Sequence, residues 1–392
     1  MKLRSTVRRA IGLIASAVLA SSCSGLPNSG PSNSDVTNAA RPGPSGETRF
    51  ALVDVDARVV ATMDNWQAAS LQGSFGQQHP SSGQTIGIGD AVQVVIWEAS
   101  SGGLFSAPLT DRTSTGSHSA TIPEQVVGAD GAITVPYAGR IQAAGKTTQD
   151  VEQRITNSLA GKAVEPQALV TVTKNVANTV TVIGEVTNGA RVPLTMRGDR
   201  ILDVVATAGG TKASVHETFL TLVRDGRSVR IPMQAVLSNP KENVPVRPGD
   251  VIIVAREPQT FTAAGATGQN NVIPFDAIGI TLDQAIARAG GLADYRADPA
   301  GVFVIRYEVP AEYDQLGFTR PSLGPLSQVP VIYRINFRDP GGFFLARRFP
   351  IRNKDIVFVS NAPVAQFQKV MNLLFPFIGA GATVAAVYGV TK

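Results

Sequence analysis

Short runs of β-branched and aliphatic residues, each bounded by Gly, Asp or Pro, dominate the hydrophobic pattern of the chain. The alternation from Phe50 to Val60 predicts a strand with its acidic residues on one face. Gly87 and Gly89-Asp90 form a turn signal that leads directly into Ala91–Glu98, a run that predicts a buried strand. The pattern therefore indicates short strands joined by glycine-rich turns.

A second turn and an amphipathic helix follow farther along the chain. Asp130-Gly131 is expected to supply the positive φ of a hairpin turn, because apolar residues lie on both sides of it. The segment from Thr147 to Asp150 predicts the start of a helix that ends near Gly161. Val170–Val172 predicts a strand that closes this part of the chain. The apolar stripe of the helix consists of Val151, Ile155 and Leu159.

The second half of the chain contains an internal repeat. The segment Arg247–Val254 matches Arg352–Val359 at a spacing of 105 residues, whereas earlier segments of the repeat match at a spacing of 81 residues. The second copy therefore carries about 24 extra residues, which lie around Val309–Pro330. Each copy reads as strand, turn, strand, short helix ended by Gly-Gly, and further strands, which is an α+β unit. Two pairs of segments recur at a spacing of 81 residues: Thr181–Val186 with Thr262–Ala266, and Ala208–Gly210 with Ala289–Gly291.

Composition agrees with several β-rich domains. The 392 residues are 43% hydrophobic and 17% charged, which is enough for two or three packed cores. The 38 Gly and 25 Pro, against 6% aromatic residues, favour short strands with tight turns. We therefore expect an α+β, multi-domain fold with a β-rich domain followed by two repeats.

The positive charge of the chain is concentrated at its beginning. Of the formal net charge of +5, four units come from Lys2, Arg4, Arg8 and Arg9 in the first 22 residues, which hold no acid, so their removal leaves +1. The remainder has no dense run of Lys and Arg. A nucleic-acid partner is therefore not expected.

Residues 1–22 follow the plan of a secretory signal peptide, with a basic segment before the apolar stretch Ala10–Ala20. That stretch is too short to span a membrane, which needs about 20 apolar residues. The sequence up to Cys23 resembles a bacterial lipobox, although Ala20 stands where Leu is usual, and Ser24 after it is typical of outer-membrane lipoproteins. We expect a diacylglycerol anchor on Cys23 and a lipidated flexible tether over residues 23–48. The alternative is ordinary cleavage that leaves an unmodified thiol.

An ordered set of turn and strand residues runs from the first predicted turn to the strand Val170–Val172. It includes Gly89, Asp90, Trp97, Asp130, Gly131, Pro136 and Gly139. This set resembles the polysaccharide export domain of the outer-membrane polysaccharide export family, which comprises Wza-like capsule export lipoproteins. The resemblance implies an export domain over residues 49–176, a first soluble-ligand-binding β-grasp (SLBB) domain over 177–258 and a second, with the insertion, over 259–362. The resemblance implies that these seven residues form a structural motif of the export domain. The SLBB name implies ligand binding, but we favour a role in stacking neighbouring protomers into a ring.

The last thirty residues, 363–392, are predicted to form a membrane-spanning amphipathic helix. Residues 364–390 carry a single charge, Lys369, and as a helix would be about 40 Å long against a bilayer core of about 30 Å. Small residues between Gly379 and Gly389 would let neighbouring helices approach closely, while Pro376 should kink the helix. A plain C-terminal anchor and a buried core helix are the alternatives. The candidates to line a pore are Gln366, Lys369, Asn372 and Thr383.

No catalytic residue, cofactor or metal site is predicted. The three histidines are scattered, and the chain has neither a nucleophile elbow nor a phosphate-binding loop. Asp90, Glu98, Glu124 and Asp130 could in principle supply the two carboxylates of a glycosidase. However, Asp90 and Asp130 each lie beside Gly at a turn, where a structural role explains them.

Three hypotheses follow. The favoured one is a lipid-anchored, largely periplasmic subunit of an outer-membrane channel that exports capsular or related polysaccharide as a homo-oligomeric ring. The resemblance implies inner-membrane partners, namely a polysaccharide co-polymerase and an ABC transporter or a polymerase-dependent system. The second hypothesis is a periplasmic polysaccharide-binding lipoprotein without a pore, and the third is a carbohydrate-active enzyme.

Overall fold

The computed structural model describes residues 30–43, 46–66, 69–76, 85–99, 104, 118–195, 197–321 and 328–365. The chain divides into two compact units. A central unit comprises residues 68–258, and a terminal unit combines residues 1–67 with 259–392. The terminal unit is therefore built from both halves of the chain.

The N-terminal segments are more ordered than the sequence indicated. Within the expected tether, Ser32 and Asp35 form a reciprocal cap on a short helix, and Val36 of that helix is buried. The strand expected over residues 50–60 is wrong beyond Asp54, because the Asp56 carboxylate accepts the Val59 N–H at 2.8 Å and starts a helix instead. The elements are α1 (Asn33–Ala39), β1 (Ala51–Asp54), α2 (Ala57–Asn65) and α3 (Leu71–Phe75).

The next region forms a three-stranded sheet in the order β3-β2-β6, with a separate hairpin, β4-β5. The predicted helix is confirmed, with Thr147 as N-cap and its apolar stripe fully buried. Asp130-Gly131 forms a turn with the predicted positive φ, +75° at Gly131, but the paired hairpin turns at Pro136 to Ala138 instead. The elements are β2 (Ala91–Glu98), β3 (His118–Val126), β4 (Ala132–Val135), β5 (Gly139–Gln142), α4 (Thr148–Leu159) and β6 (Gln167–Lys174).

The first repeat is a five-stranded mixed sheet in the order β10-β9-β11-β7-β8. Its helix α5 packs apolar residues on the sheet and ends before Gly209, which has a positive φ of 83°. A short 3₁₀ turn, Val215–Glu217, precedes β9. The elements are β7 (Thr179–Gly184), β8 (Ala190–Pro193), α5 (Ile201–Thr207), β9 (Thr218–Arg224), β10 (Arg227–Pro232), α6 (Met233–Ser238) and β11 (Val251–Arg256).

The second repeat has the same strand order with one strand added at the edge. The main sheet is β1-β16-β15-β18-β12-β13, beside a two-stranded β14-β17 pair. A short helix, α8, lies in the insertion. The elements are β12 (Gln259–Gly265), β13 (Asn271–Phe275), β14 (Ile280–Thr281), α7 (Leu282–Arg288), β15 (Ala297–Glu308), α8 (Pro310–Gln315), β16 (Val329–Ile335), α9 (Pro340–Ala346), β17 (Pro350–Ile351) and β18 (Ile356–Asn361).

The strand added at the edge, β1, comes from the beginning of the chain. It pairs in parallel with β16, so that Val53 lies opposite Tyr333. The Arg334 guanidinium donates to both carboxylate oxygens of Asp54, at 2.5 and 2.9 Å. Residues 51–54, expected at the start of the export domain, thus belong to the sheet of the second repeat.

The membrane helix expected over residues 363–392 lies almost wholly outside the described residues, which end at Ala365. Pro363 to Ala365 are helical. Within the part of the chain that the structure describes, no helix is long and apolar enough to cross a bilayer.

A buried ion pair occupies the same place in each repeat. Arg224 of β9 donates to both oxygens of Asp250, at 2.9 and 2.6 Å. Arg306 of β15 donates to both oxygens of Asp355, at 2.9 and 2.5 Å. All four side chains are almost completely buried. Because a buried charge is tolerated only when paired, each repeat depends on this pair.

We expect Arg306→Met to destabilise the terminal unit by about 3–5 kcal/mol, since it leaves the Asp355 carboxylate buried without its counter-charge. The measurement is urea unfolding followed by the fluorescence of Trp66, in a chain where Trp97 is replaced by Phe. The control is Arg320→Met, which breaks the solvent-exposed pair with Asp314 and should change the stability far less. Equal losses in the two variants would contradict the prediction.

Candidate functional site

Asp90 is a structural residue at the entry of β2. Gly89 has a φ of +88°, and the Asp90 side chain is completely buried. One carboxylate oxygen accepts the N–H groups of Val176 and Ala177, at 2.7 and 2.8 Å, and the other accepts that of Gly87 at 2.7 Å. These bonds join the start of β2 to the chain that follows β6, and they satisfy the buried charge.

The same turn recurs at the start of the last strand of each repeat. Asp250 precedes β11 and accepts the Arg247 N–H at 2.7 Å. Asp355 precedes β18 and accepts the Arg352 N–H at 2.7 Å. The residue before the aspartate has a positive φ in each turn, +88° at Gly249 and +69° at Lys354. We call these turns, with that of Asp90, the aspartate turns. The sequence match between residues 247–254 and 352–359 indicated that the turns of Asp250 and Asp355 are equivalent. It gave no sign that the turn of Asp90 is similar to them.

The other motif residues of the first region lie at turns and on strands. Gly131 and Gly139 have φ values of +75° and +81°. Asp130 is exposed and forms an ion pair with Arg140 of β5. Trp97 lies near the end of β2, between the partner residues on β3 and β6. Pro136 begins the turn between β4 and β5. These positions support the structural interpretation of the motif.

Asp90 and Glu98, two of the carboxylates considered for a glycosidase, are not arranged as a pair. Asp90 precedes β2 and Glu98 is its last residue, so about 25 Å of strand separates them at about 3.3 Å per residue. Glycosidase carboxylates lie about 5–9.5 Å apart. Asp130 is engaged with Arg140, as described above. Among the described residues, no cluster of three or more His, Cys, Asp or Glu can hold a metal ion.

The second repeat contains a buried polar cluster that sequence reasoning missed. Glu308, at the end of β15, is completely buried and accepts hydrogen bonds from Arg306 at 3.3 Å, Tyr333 at 2.9 Å and Arg352 at 2.8 Å. Arg352 also donates to Glu312 of α8 at 2.8 Å. The cluster therefore anchors the first helix of the insertion to the sheet. Arg306 and Glu308 come from alternating positions of β15, and Tyr333 comes from the neighbouring strand β16. These residues are brought together only by the fold, so no sequence motif marks the cluster.

Burial changes the acidity of two tyrosines in this repeat. It raises the pKa of Tyr313 to about 12, and the Tyr313 hydroxyl donates to the Thr319 carbonyl at 3.1 Å. Burial, with the charge of Glu308, raises the pKa of Tyr333 even further. Both phenols therefore stay protonated in the folded state above the ordinary tyrosine pKa of about 10.

Both ends of the described chain lie at one end of the sheet in the terminal unit. There, Ala297 pairs with Asn361, and Val302 pairs with Ile335. Asn33 of α1 donates to the Ala300 carbonyl at 3.3 Å, and the Ala362 N–H donates to the Arg296 carbonyl at 2.8 Å. We call this end of the sheet, defined by Asn33, Ala297, Ile335 and Asn361, the exit end.

The predicted lipidation site and pore-lining residues lie outside the described residues. Cys23 precedes the first described residue, Gly30, by seven positions. That length of chain spans at most about 25 Å. The pore-lining candidates Gln366, Lys369, Asn372 and Thr383 follow the last described residue, Ala365.

Comparison with known proteins decides the family. The chain is 37% identical over 369 residues to the capsule polysaccharide export outer membrane protein CtrA of Neisseria meningitidis, covering 93% of this chain and 95% of that protein. The chain belongs to the polysaccharide biosynthesis/export protein family. The model of that family matches residues 78–173, and SLBB domain models match residues 179–232 and 259–359.

Two further relatives of this export-family chain extend the similarity. The chain is 35% identical over 362 residues to the capsule polysaccharide export protein BexD of Haemophilus influenzae, covering 91% of this chain and 92% of that protein. It is 27% identical over 315 residues to the EPS I polysaccharide export outer membrane protein EpsA of Ralstonia nicotianae, covering 76% of this chain and 77% of that protein. The resemblance inferred from the sequence motif is thus confirmed at the level of family and SLBB domains.

The aspartate turns predict opposite effects of two glycine exchanges. Gly249→Ala should destabilise the central unit by about 1 kcal/mol, because a side chain is strained at positive φ although the space beside Gly249 is open. Lys354→Gly should leave the terminal unit unchanged or stabilise it by up to about 1 kcal/mol, because it relieves the same strain. Urea unfolding read from Trp97 and Trp66 respectively measures the two effects. A stabilising Gly249→Ala would show that the turn is not maintained.

The raised tyrosine pKa values predict alkaline sensitivity of the terminal unit. The unfolded chain loses phenolic protons near pH 10, whereas folded Tyr313 keeps its proton up to about 12. Stability should therefore be complete below pH 10 and fall as the pH rises from 10 through 12. Unfolding free energies measured across this range check the trend. Tyr313→Phe should make the decline shallower, and an unchanged slope in that variant would exclude Tyr313 as a contributor.

Proposed function

We propose that the chain is a subunit of an outer-membrane channel that exports capsular or related polysaccharide to the cell surface as a homo-oligomeric ring. The observation that carries the proposal is the similarity, over most of both chains, to proteins named for capsule polysaccharide export, one of which is named as an outer membrane protein. These relatives are named as export proteins, which favours a transport role over an enzymatic one.

The path of the chain in the terminal unit supports a double attachment to one membrane. Cys23 would carry a lipid anchor within about 25 Å of Gly30, and Gly30 lies so close to the Phe358 ring of β18 that an added Cβ would be 2.7 Å from it. The apolar segment of residues 363–392 leaves the same strand only a few positions later. Both attachments would thus start from one unit and reach the same bilayer without a long linker.

A ring explains the mixed character of the C-terminal segment. A single helix of residues 363–392 would expose Lys369 and Asn372 to lipid or hold them at its surface. In a ring, the polar stripe with Gln366 and Thr383 would face a water-filled lumen, while apolar side chains would face lipid. The small residues after Gly379 would allow close helix packing.

In this proposal, export through the ring is passive. The ring supplies a polar path that excludes lipid, and inner-membrane partners supply the energy. These would be a polysaccharide co-polymerase with either an ABC transporter or a polymerase-dependent system. The SLBB domains would stack neighbouring protomers.

Deletion of residues 366–392 tests the channel. We expect surface polysaccharide to be lost while the polymer accumulates in the periplasm, because the exit through the outer membrane is removed. The measurement is surface and periplasmic polysaccharide in cells that produce the truncated, still lipidated protein. The deletion leaves every described residue in place, so folding of the terminal unit, read from Trp66, is the control. Normal surface polysaccharide with the truncated protein would favour the polysaccharide-binding alternative.

A further inference from the structure

The exit end of the terminal unit carries exposed aromatic side chains. Tyr295 is 79% exposed, and Phe343 and Phe344 are 57% and 75% exposed. Tyr295 adjoins Arg296, whose carbonyl accepts the N–H of Ala362. Phe343 and Phe344 are adjacent, and exposed apolar side chains that cluster mark contacts with other surfaces more often than isolated ones do.

The two phenylalanines are held at the exit end by defined contacts. Arg338 donates to Asp298 at 2.9 Å, and the Phe337 N–H donates to the Pro299 carbonyl at 2.8 Å. Helix α9 starts immediately after these contacts. The Phe343 ring packs edge-on against that of Phe337, with centroids 4.9 Å apart. Phe343 and Phe344 are thus fixed at this end of the unit.

The charges around these aromatic residues are nearly balanced. Arg338 is paired with Asp298, and the Arg296 side chain donates to the carbonyls of Gly265 and Thr267. The Asp339 carboxylate caps α9 by accepting the Gly341 N–H at 3.0 Å. A surface with this balance has no excess charge to attract a polyanion. Tyr295 suits the interfacial layer of a membrane, where Tyr and Trp are enriched, and Phe343 and Phe344 supply apolar side chains for the boundary between headgroups and acyl chains.

The chain leaves the exit end on its N-terminal side towards Cys23, the proposed lipidation site. On its C-terminal side it leaves towards the apolar segment of residues 363–392. Cys23 lies within about 25 Å of Gly30 along the chain. On the other side, Val364 is 66% exposed and begins the apolar C-terminal segment. If the proposed function holds, these two attachments bring the exit end to the membrane surface.

We propose that Tyr295, Phe343 and Phe344 form an aromatic rim that inserts into the headgroup layer on the periplasmic face of the outer membrane. This inference rests on the proposed function, since it takes the anchor and the C-terminal segment to enter that membrane. It adds a third contact, made by the folded unit itself. The rim would set the height and tilt of the terminal unit on the bilayer.

Two exposed tyrosines at opposite ends of β15 provide a matched test. Tyr295 precedes the strand at the exit end, whereas Tyr307 pairs with Pro330 at the other end and is 66% exposed. About 30–40 Å separates them at about 3.3 Å per residue. Tyr295→Trp and Tyr307→Trp, made in the full lipidated chain, place a reporter at each end.

The experiment reconstitutes each variant in phospholipid vesicles with and without brominated acyl chains, which quench tryptophan only in contact with lipid. The signal of the parent chain, from Trp66 and Trp97, is subtracted. We expect the emission of Trp at position 295 to be lost in brominated vesicles and that of Trp at position 307 to be retained. Phe344→Trp should behave as Tyr295→Trp does.

Each of the following outcomes would overturn the inference. Equal quenching at both positions would mean that lipid contact is not specific to the exit end. Quenching at 307 alone would mean that the exit end does not face lipid. A blue-shifted Trp at 295 that lipid does not quench would assign the rim to a contact with a second copy of the chain. If the vesicles bind the protein and protect its C-terminal segment while neither reporter is quenched, the rim fails and the proposed function stands. Protein that does not associate with vesicles at all would count against both.

Discussion

A carboxylate buried behind a tight turn is the constraint on which both units depend. Asp90, Asp250 and Asp355 each start a strand, and each is almost completely buried. A buried carboxylate is tolerated only when its oxygens receive several hydrogen bonds or a counter-charge. The aspartate turns supply these partners from segments distant in sequence, as between Asp90 and Val176. The sheets are therefore held in register by charge satisfaction as well as by apolar packing.

Both repeats pair the buried aspartate with a buried arginine, but each arginine makes a different additional contact. In the first, Arg224 also stacks over Phe75 of α3, with its guanidinium carbon 5.1 Å from the ring centroid. In the second, Arg306 contacts Glu308, which draws in Tyr333 and Arg352. The additional buried acid anchors the insertion, because Arg352 also reaches Glu312. The insertion is thus attached through the buried ion pair that both repeats share rather than through a new core.

The elements that the sequence predicted correctly are those that local pattern determines. Helix α4 was predicted from its N-cap and its apolar stripe, which lie within a few turns of one another. The repeat was predicted because its matching segments are each only a few residues long. Strand β1 was expected but its partner was not, because Val53 pairs with Tyr333 across 280 positions and no local pattern encodes that pairing. The Glu308 cluster was missed for the same reason. Strand β3 was not predicted, because polar residues interrupt its apolar ones.

The path of the chain relates folding to attachment at the membrane. β1 adds to a sheet whose other strands lie between residues 259 and 361, so the terminal unit is complete only after that last strand has formed. Such long-range pairing carries a large loop-closure cost, which the buried α1 and β1 residues and the Arg334–Asp54 pair must offset. Once formed, the sheet fixes where Gly30 and Ala362 lie relative to each other. The spacing between the two proposed membrane attachments is therefore a property of the folded unit, and the residues before Gly30 need only bridge a short distance.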